Sequence, residues 1–143
     1  MPTEAEWEYV AASAGESSRR YPWGEEDPDK DRANYNKNEG ETTEVDGYPL
    51  GATPDGVFDM GGNVLEWTLS QGQDYEYRDG DGRNNLQEKS ARVVRGGAFG
   101  SYTGLLRSAY RNGNHPVNRV DFIGFRVVLF PFSPPELLRI EKM

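Results

Sequence analysis

The sequence predicts an α+β domain in which loops outweigh regular elements. One amphipathic helical stretch opens the chain, short apolar strand-like runs lie far apart behind it, and 17 Gly and 9 Pro mark many turns. At 143 residues the chain suits a single domain spanning 1–143, since domains most often hold about 100–150 residues. Only 35% of residues are hydrophobic while 12% are aromatic, so the expected core is small and rich in rings.

The helix comes first. In Thr3-Glu4-Ala5-Glu6 the Thr hydroxyl can accept from the Glu6 amide while the Glu6 carboxylate reaches back to Thr3, a capping box. Trp7, Val10, Ala11 and Ala14 follow at i, i+3, i+4, i+7, and Gly15 is a natural stop. The spacing predicts a helix over 4–14 with Trp7 as core filler. Residues 15–56 read as loop, pinned by Trp23, Tyr35 and Tyr48, and the acidic run from Glu25 to Asp29 reads as a solvated face.

Strand signals follow. Residues 57–69 hold a tight turn and then an alternation, with Val64, Glu66 and Thr68 on one side and Leu65, Trp67 and Leu69 on the other. Residues 71–90 are polar and Gly-rich, an exposed loop. Residues 92–95 and 125–130 read as strands. Pro131, Pro134 and Pro135 end the second, and Pro135 fits the start of a short helix over 136–140. There is no internal repeat.

Charge and composition exclude several classes. A formal net charge of −8 repels phosphate backbones and anionic lipid, so nucleic acid and membrane surfaces are poor partners. With no Cys the chain has no disulfide, no thiolate metal site and no Cys nucleophile. No apolar run reaches the roughly 18 residues of a membrane span, and the acidic N-terminus lacks the basic region of a secretory signal. The compartment stays open: the cytoplasm, or a cell or virion surface reached through a partner.

The words "PTEAEWEYVAASAG", "YPWG", "ANY", "GVFDMGGNVLEW", "RVVRGGAF", "RSAYRN" and "IGFRVV" occur in this order over residues 2–130. In them the chain resembles the formylglycine-generating-enzyme-like, or sulfatase-modifying-factor, family. The resemblance implies a C-type-lectin-like fold: loop-rich, with small antiparallel sheets and one or two helices. The chain opens at the helix motif where longer members carry a preceding segment. It reads as a minimal version, or as a fragment whose unpaired sheet edge invites another chain or is covered by the Pro-rich tail.

Formylglycine-generating enzymes hold copper with a cysteine pair shortly after a Gly-Gly-Ser motif. Here that region is Ala98-Phe99-Gly100-Ser101-Tyr102-Thr103, and soft thiolates are what select Cu(I). Asp59, Gly62, Val64 and Glu66 match positions that bind calcium in some of these enzymes, and hard calcium takes such oxygen sets. The alternative is a turn held by its own amides, with Glu66 bonded to a backbone donor or an Arg. The expected cofactor is none, or calcium.

A narrower group shares the fold: the variable proteins of diversity-generating retroelements. There, a stretch similar to "RGG…RSAYRN…P.NR…IGFR" is rewritten at template adenines, often at Asn codons. Gly100, Ser101, Tyr102, Thr103, Leu105, His115, Val117, Val120, Asp121 and Phe122 are each reachable from an Asn codon by adenine substitution, though most amino acids are. Their placement says more. They fall between Gly-Gly-Ala, Arg-Ser-Ala and Ile-Gly-Phe-Arg, among leftover Asn112, Asn114 and Asn118.

The reading is thus a scaffold, 1–98 and 123–143, holding a ligand-binding region at about 99–122. The expected contacts are Phe99, Gly100, Ser101, Tyr102, Thr103, Leu105, Tyr110, Asn112, Asn114, His115, Val117, Val120, Asp121 and Phe122. Tyr110 also fits the core. His115, the sole histidine, reads first as a surface contact, then as a structural hydrogen bonder, and last as a catalyst, because no nucleophile or metal partner is spaced to meet it. Arg107, Arg111 and Arg126 read as structural forks. The expected function is non-enzymatic recognition of a protein or other macromolecule. The alternatives are a truncated or partner-dependent oxidase of the formylglycine-generating or ergothioneine-synthase-like group, short of Cys and His for copper or iron, and an inert structural module.

Overall fold

A computed structural model describes residues 1–13, 18–78 and 80–129. Helix α1 spans Glu4–Glu8 and continues as a wider π-helical turn over Tyr9–Ser13. The capping box forms as the sequence predicts: the Glu6 amide donates to Thr3 Oγ1 at 3.2 Å, and the Thr3 amide to Glu6 Oε2 at 2.7 Å. Ala14 lies outside the described residues.

Strands β1 (Leu65–Gln71), β2 (Arg92–Arg95), β3 (Arg111–Asn114) and β4 (Ile123–Gly124) form one four-stranded sheet in the order β3-β2-β1-β4. The first three pair antiparallel, whereas β4 runs parallel to β1, Leu65 opposite Ile123. The sheet is therefore mixed rather than purely antiparallel. The strand expected over 125–130 shortens to Ile123–Gly124, and residues 125–129 carry no ladder. Strand-forming composition alone does not make a strand; a neighbour must receive its amides. Residue 130, the following Pro-rich tail and the helix expected at 136–140 lie outside the described residues.

The alternation along β1 is present, and its polar side is the more deeply buried of the two. Glu66 (5% exposed), Thr68 (1%) and Ser70 (0%) face inward, while Trp67 and Leu69 are half-buried. Helix α1 covers the polar side. The Glu4 amide donates to Ser70 Oγ at 2.9 Å, and Trp7 Nε1 donates to Glu66 Oε2 at 2.7 Å. Across the ladder Glu66 stands opposite Arg95, and Arg95 opposite Arg111. Arg111 grips Glu4 through Nε at 2.7 Å and a terminal nitrogen at 2.6 Å. Arg95 lies 3.7 Å from Glu4 and also pairs with Glu8. Buried charges persist only when paired and hydrogen-bonded, and here helix and sheet supply each other's partners.

Three small apolar clusters complete the interior. Trp7, Ala11 and Met60 pack under the helix; Tyr21, Ala33 and Leu106 under the long loop; Leu65, Val94 and Ala98 on the sheet face turned away from α1. The loop is pinned partly as expected, by Trp23 and Tyr35, with Trp23 stacked on Tyr21 at 5.3 Å between centroids. Tyr48 is half-buried but joins none of these clusters. Two asparagines carry much of the rest. The Asn63 amide donates to the Asn34 carbonyl at 2.8 Å, and Asn63 Oδ1 accepts the Thr43 amide at 2.9 Å. In the 71–90 loop, Arg83 departs from expectation: it is buried, bonded to Asp81 at 2.6 Å and laid over the Tyr77 ring at 4.1 Å.

Candidate ligand-binding face

The segment 99–122 is fixed at its backbone from several sides. Gly97 turns at φ 73°, where an added Cβ would lie 2.9 Å from the Leu105 carbonyl oxygen. The Phe99 amide donates to the Asn63 carbonyl at 2.8 Å. The Lys37 and Asn36 amides donate to the carbonyls of Phe99 at 2.7 Å and Ser101 at 2.8 Å. Further on, the Arg95 guanidinium donates to the carbonyls of Ser108 at 3.1 Å, Ala109 at 3.1 Å and Tyr110 at 2.7 Å. The Leu65 amide, finally, holds the Phe122 carbonyl at 2.9 Å.

The side chains between these anchors mostly face solvent. Tyr102 is 65% and Val117 70% exposed, and Gly100, Asn112, His115, Val120, Asp121 and Phe122 are exposed too. Phe99, Thr103, Leu105, Tyr110 and Asn114 are half-buried. Ser101 is held more tightly than its neighbours in the segment. It is buried, its Oγ accepts the Ala98 amide at 2.9 Å, and it serves the turn. Tyr110 packs on the Leu65, Val94 and Ala98 cluster and also lines a recess.

That recess holds about 420 Å³ between Lys37, Leu65, Ala98, Phe99, Gly100, Ser101, Tyr102, Leu105, Tyr110, Asn112 and Phe122. A second concavity of about 420 Å³ takes in His115 and Val117 beside Trp67, Leu69 and Arg92. A third, of about 390 Å³, takes in Val120 with Trp67, Ile123 and Phe125. Leu65, Trp67 and Leu69 alternate onto one side of β1, Val94 is the ladder partner of Trp67, and Asn112 that of Val94. The three concavities therefore border one sheet face, the one α1 leaves uncovered. Thr103, Asn114 and Asp121 line none of the three.

Sequence reasoning missed Lys37, Leu65, Ala98 and Trp67 as wall residues. The alternation put Leu65 and Trp67 on a common side, but the apolar side of a strand reads as interior. Nothing in the sequence ties Lys37 to residues some 60 positions later.

Two of the expected structural arginines bear loads. Arg126 meets Glu66 through two hydrogen bonds of 2.6 Å and the Phe58 carbonyl at 3.0 Å; Arg111 holds Glu4 as described above. Arg107 is exposed, with no ion pair among the described residues.

Residues 1–130 match the sulfatase-modifying factor enzyme 1-like domain. The chain belongs to this family. Hercynine oxygenase of Mycolicibacterium smegmatis is 34% identical over 137 residues, which cover 89% of this chain and 32% of the oxygenase. Serine/threonine-protein kinase pkn1 of Chlamydia pneumoniae is 40% identical over 130 residues, covering 88% of this chain and 20% of the kinase. Among solved structures, Treponema denticola variable protein 1 superposes with a TM-score of 0.70 at 28% identity, covering 87% of this chain and 45% of that one. The chain thus spans a third or less of these curated relatives and under half of that structure. The fold is the C-type-lectin-like fold that the family resemblance implies, and the likeness to variable proteins extends to three dimensions.

The family's metals can be tested against this sulfatase-modifying-factor domain's own donors. Glu66 accepts from Trp7 and twice from Arg126, which leaves its carboxylate to protein donors. Asp59 accepts the Asp46 amide at 3.1 Å, and burial pushes its carboxyl above the usual range, against that hydrogen bond and the Arg126 charge. Calcium takes several available oxygens, and at Asp59, Gly62, Val64 and Glu66 it does not fit without displacing Trp7 and Arg126 from Glu66. Nor do three or more His, Cys, Asp or Glu side chains gather into a metal cluster among the described residues. Among those residues, no helix is long and apolar enough to cross a membrane.

Proposed function

We propose that this domain is a non-enzymatic recognition protein whose ligand meets the sheet face bordered by residues 99–122. The carrying observation is the contrast along one segment. The borders Val93, Val94, Gly96, Gly97 and Ala98 are buried, whereas Tyr102, His115, Val117, Val120 and Phe122 are exposed around shared recesses. Binding residues on loops held by a rigid scaffold are the common arrangement, and exposed Tyr and Phe give large contact area at low rotamer cost. Shallow recesses spread over one face suit a macromolecule, and the chain's net charge of −8 favours a protein over nucleic acid. The likeness to a variable protein supports the reading; the oxygenase-named relative supports the oxidase alternative, for which this chain has one His and no Cys.

Side chains kept for recognition contribute little to folding. Tyr102→Ala and Val117→Ala should each move stability by no more than about 0.5 kcal/mol, while Val94→Ala should cost about 2 kcal/mol, read by urea denaturation. The diversified origin is tested at the gene. A near-copy of the stretch coding 95–128, differing at adenines and lying beside a reverse transcriptase, is expected; a genome without it overturns that origin. Stoichiometric copper or iron in the purified protein would restore the oxidase.

A further inference from the structure

The recess beside Tyr102 has one cationic wall residue and no acidic one, although the chain carries 24 Asp and Glu. The cation, Lys37, comes from the long loop and not from the segment that follows β2. Its backbone is unusual. Asn36 and Lys37 are consecutive non-glycine residues at φ 52° and 59°, a left-handed pair that persists only where surrounding structure fixes it. The fixing contacts are the two amides given above, bonded to the carbonyls of Ser101 and Phe99 within the recess wall. Lys37 is exposed and forms no ion pair among the described residues. Around it the wall is mostly apolar or aromatic, with Phe99, Tyr102, Leu105, Tyr110 and Phe122, and its neutral polar members are Ser101 and Asn112.

We infer that Lys37 is a fixed cationic contact of the recess, and that its occupant is an apolar or aromatic side chain of a protein segment with a carboxylate beside it. This rests on the recognition reading above and adds the chemistry of the ligand. Charge complementarity is local here. An acidic chain repels acidic partners at long range, so a single lysine at an acid-free recess selects where a carboxylate can land and thereby orients the segment. The positive φ pair sets where the lysine stem leaves the backbone, whatever side chains stand at 99–122.

The test uses 4-phenylbutyrate and its neutral amide, titrated into the whole chain at low salt and followed by amide NMR shifts at Gly100, Tyr102, Tyr110 and Phe122. The acid should bind roughly 2–5-fold tighter than the amide, the range expected of an exposed ion pair, and the preference should collapse in high salt. Lys37→Asn, whose new side chain tolerates the left-handed backbone, should erase the preference, whereas Lys37→Arg should retain it. Equal binding of acid and amide, or a preference that survives Lys37→Asn, overturns the inference and leaves the recognition face standing. The same shifts from inorganic phosphate alone would also overturn it. Binding of neither probe overturns the inference as well, and again leaves the recognition face standing.

Discussion

At Glu66 a single carboxylate joins three parts of the chain. It accepts the Trp7 indole at 2.7 Å from the helix, and Arg126 through two bonds of 2.6 Å from beyond β4. Replacing it with Gln keeps the shape and removes the charge, leaving the Arg126 guanidinium short of its partner in a site about a quarter exposed. Glu66→Gln should therefore cost about 2–3 kcal/mol, read as a lower urea midpoint with an unchanged m-value. The residue was legible in the sequence only as a fork: calcium ligand or partner of an Arg. Its neighbours lie 59 and 60 positions away, and no local pattern reports which of the two folds back onto it. Trp7 was legible as core, and it is 1% exposed; that its nitrogen needed an acceptor was not read.

At the level of elements, local signals held where the physics is local. Thr3 and Glu6 close the capping box because both partners lie within one turn. Elsewhere the tertiary setting decided. The β1 alternation was visible, yet its polar side is the more deeply buried, because α1 lays Glu4 and Trp7 on it while Arg95 of β2 and Arg111 of β3 pair with Glu4. The Val-rich run after Gly124 looked like a longer strand, but only Ile123 and Gly124 lie beside β1. The turn after β2 is the sharpest constraint on the segment 99–122. Gly97 combines φ 73° with backbone oxygen 2.9 Å from any added Cβ. Gly97→Ala should lower stability by roughly 2 kcal/mol. It should also broaden the amide signals of Leu105 and Leu106, whereas Gly100→Ala, with nothing within 4 Å of its Cβ, should leave both unchanged.

Over the whole molecule, the two sides of the sheet divide the labour: charge pairs and helix on one, recesses on the other. Past β4 a further row stands out, with Phe125, Val127 and Leu129 all exposed and 67%, 68% and 88% accessible in turn. Alternating exposed apolar side chains on a stretch without ladder partners favour association with another chain. Sedimentation should show the isolated chain self-associating with rising concentration, and Val127→Lys should hold it monomeric; a chain monomeric throughout would show the row is inert. The anchors of residues 99–122 have a separate consequence. Arg95 and the amides of residues 36, 37 and 65 all grip carbonyl oxygens, and every amino acid brings the same carbonyl to its position. Such clamps are blind to side-chain identity. A library randomised at Tyr102, Val117, Val120 and Phe122 would yield clones that differ in surface chemistry while sharing one main-chain trace.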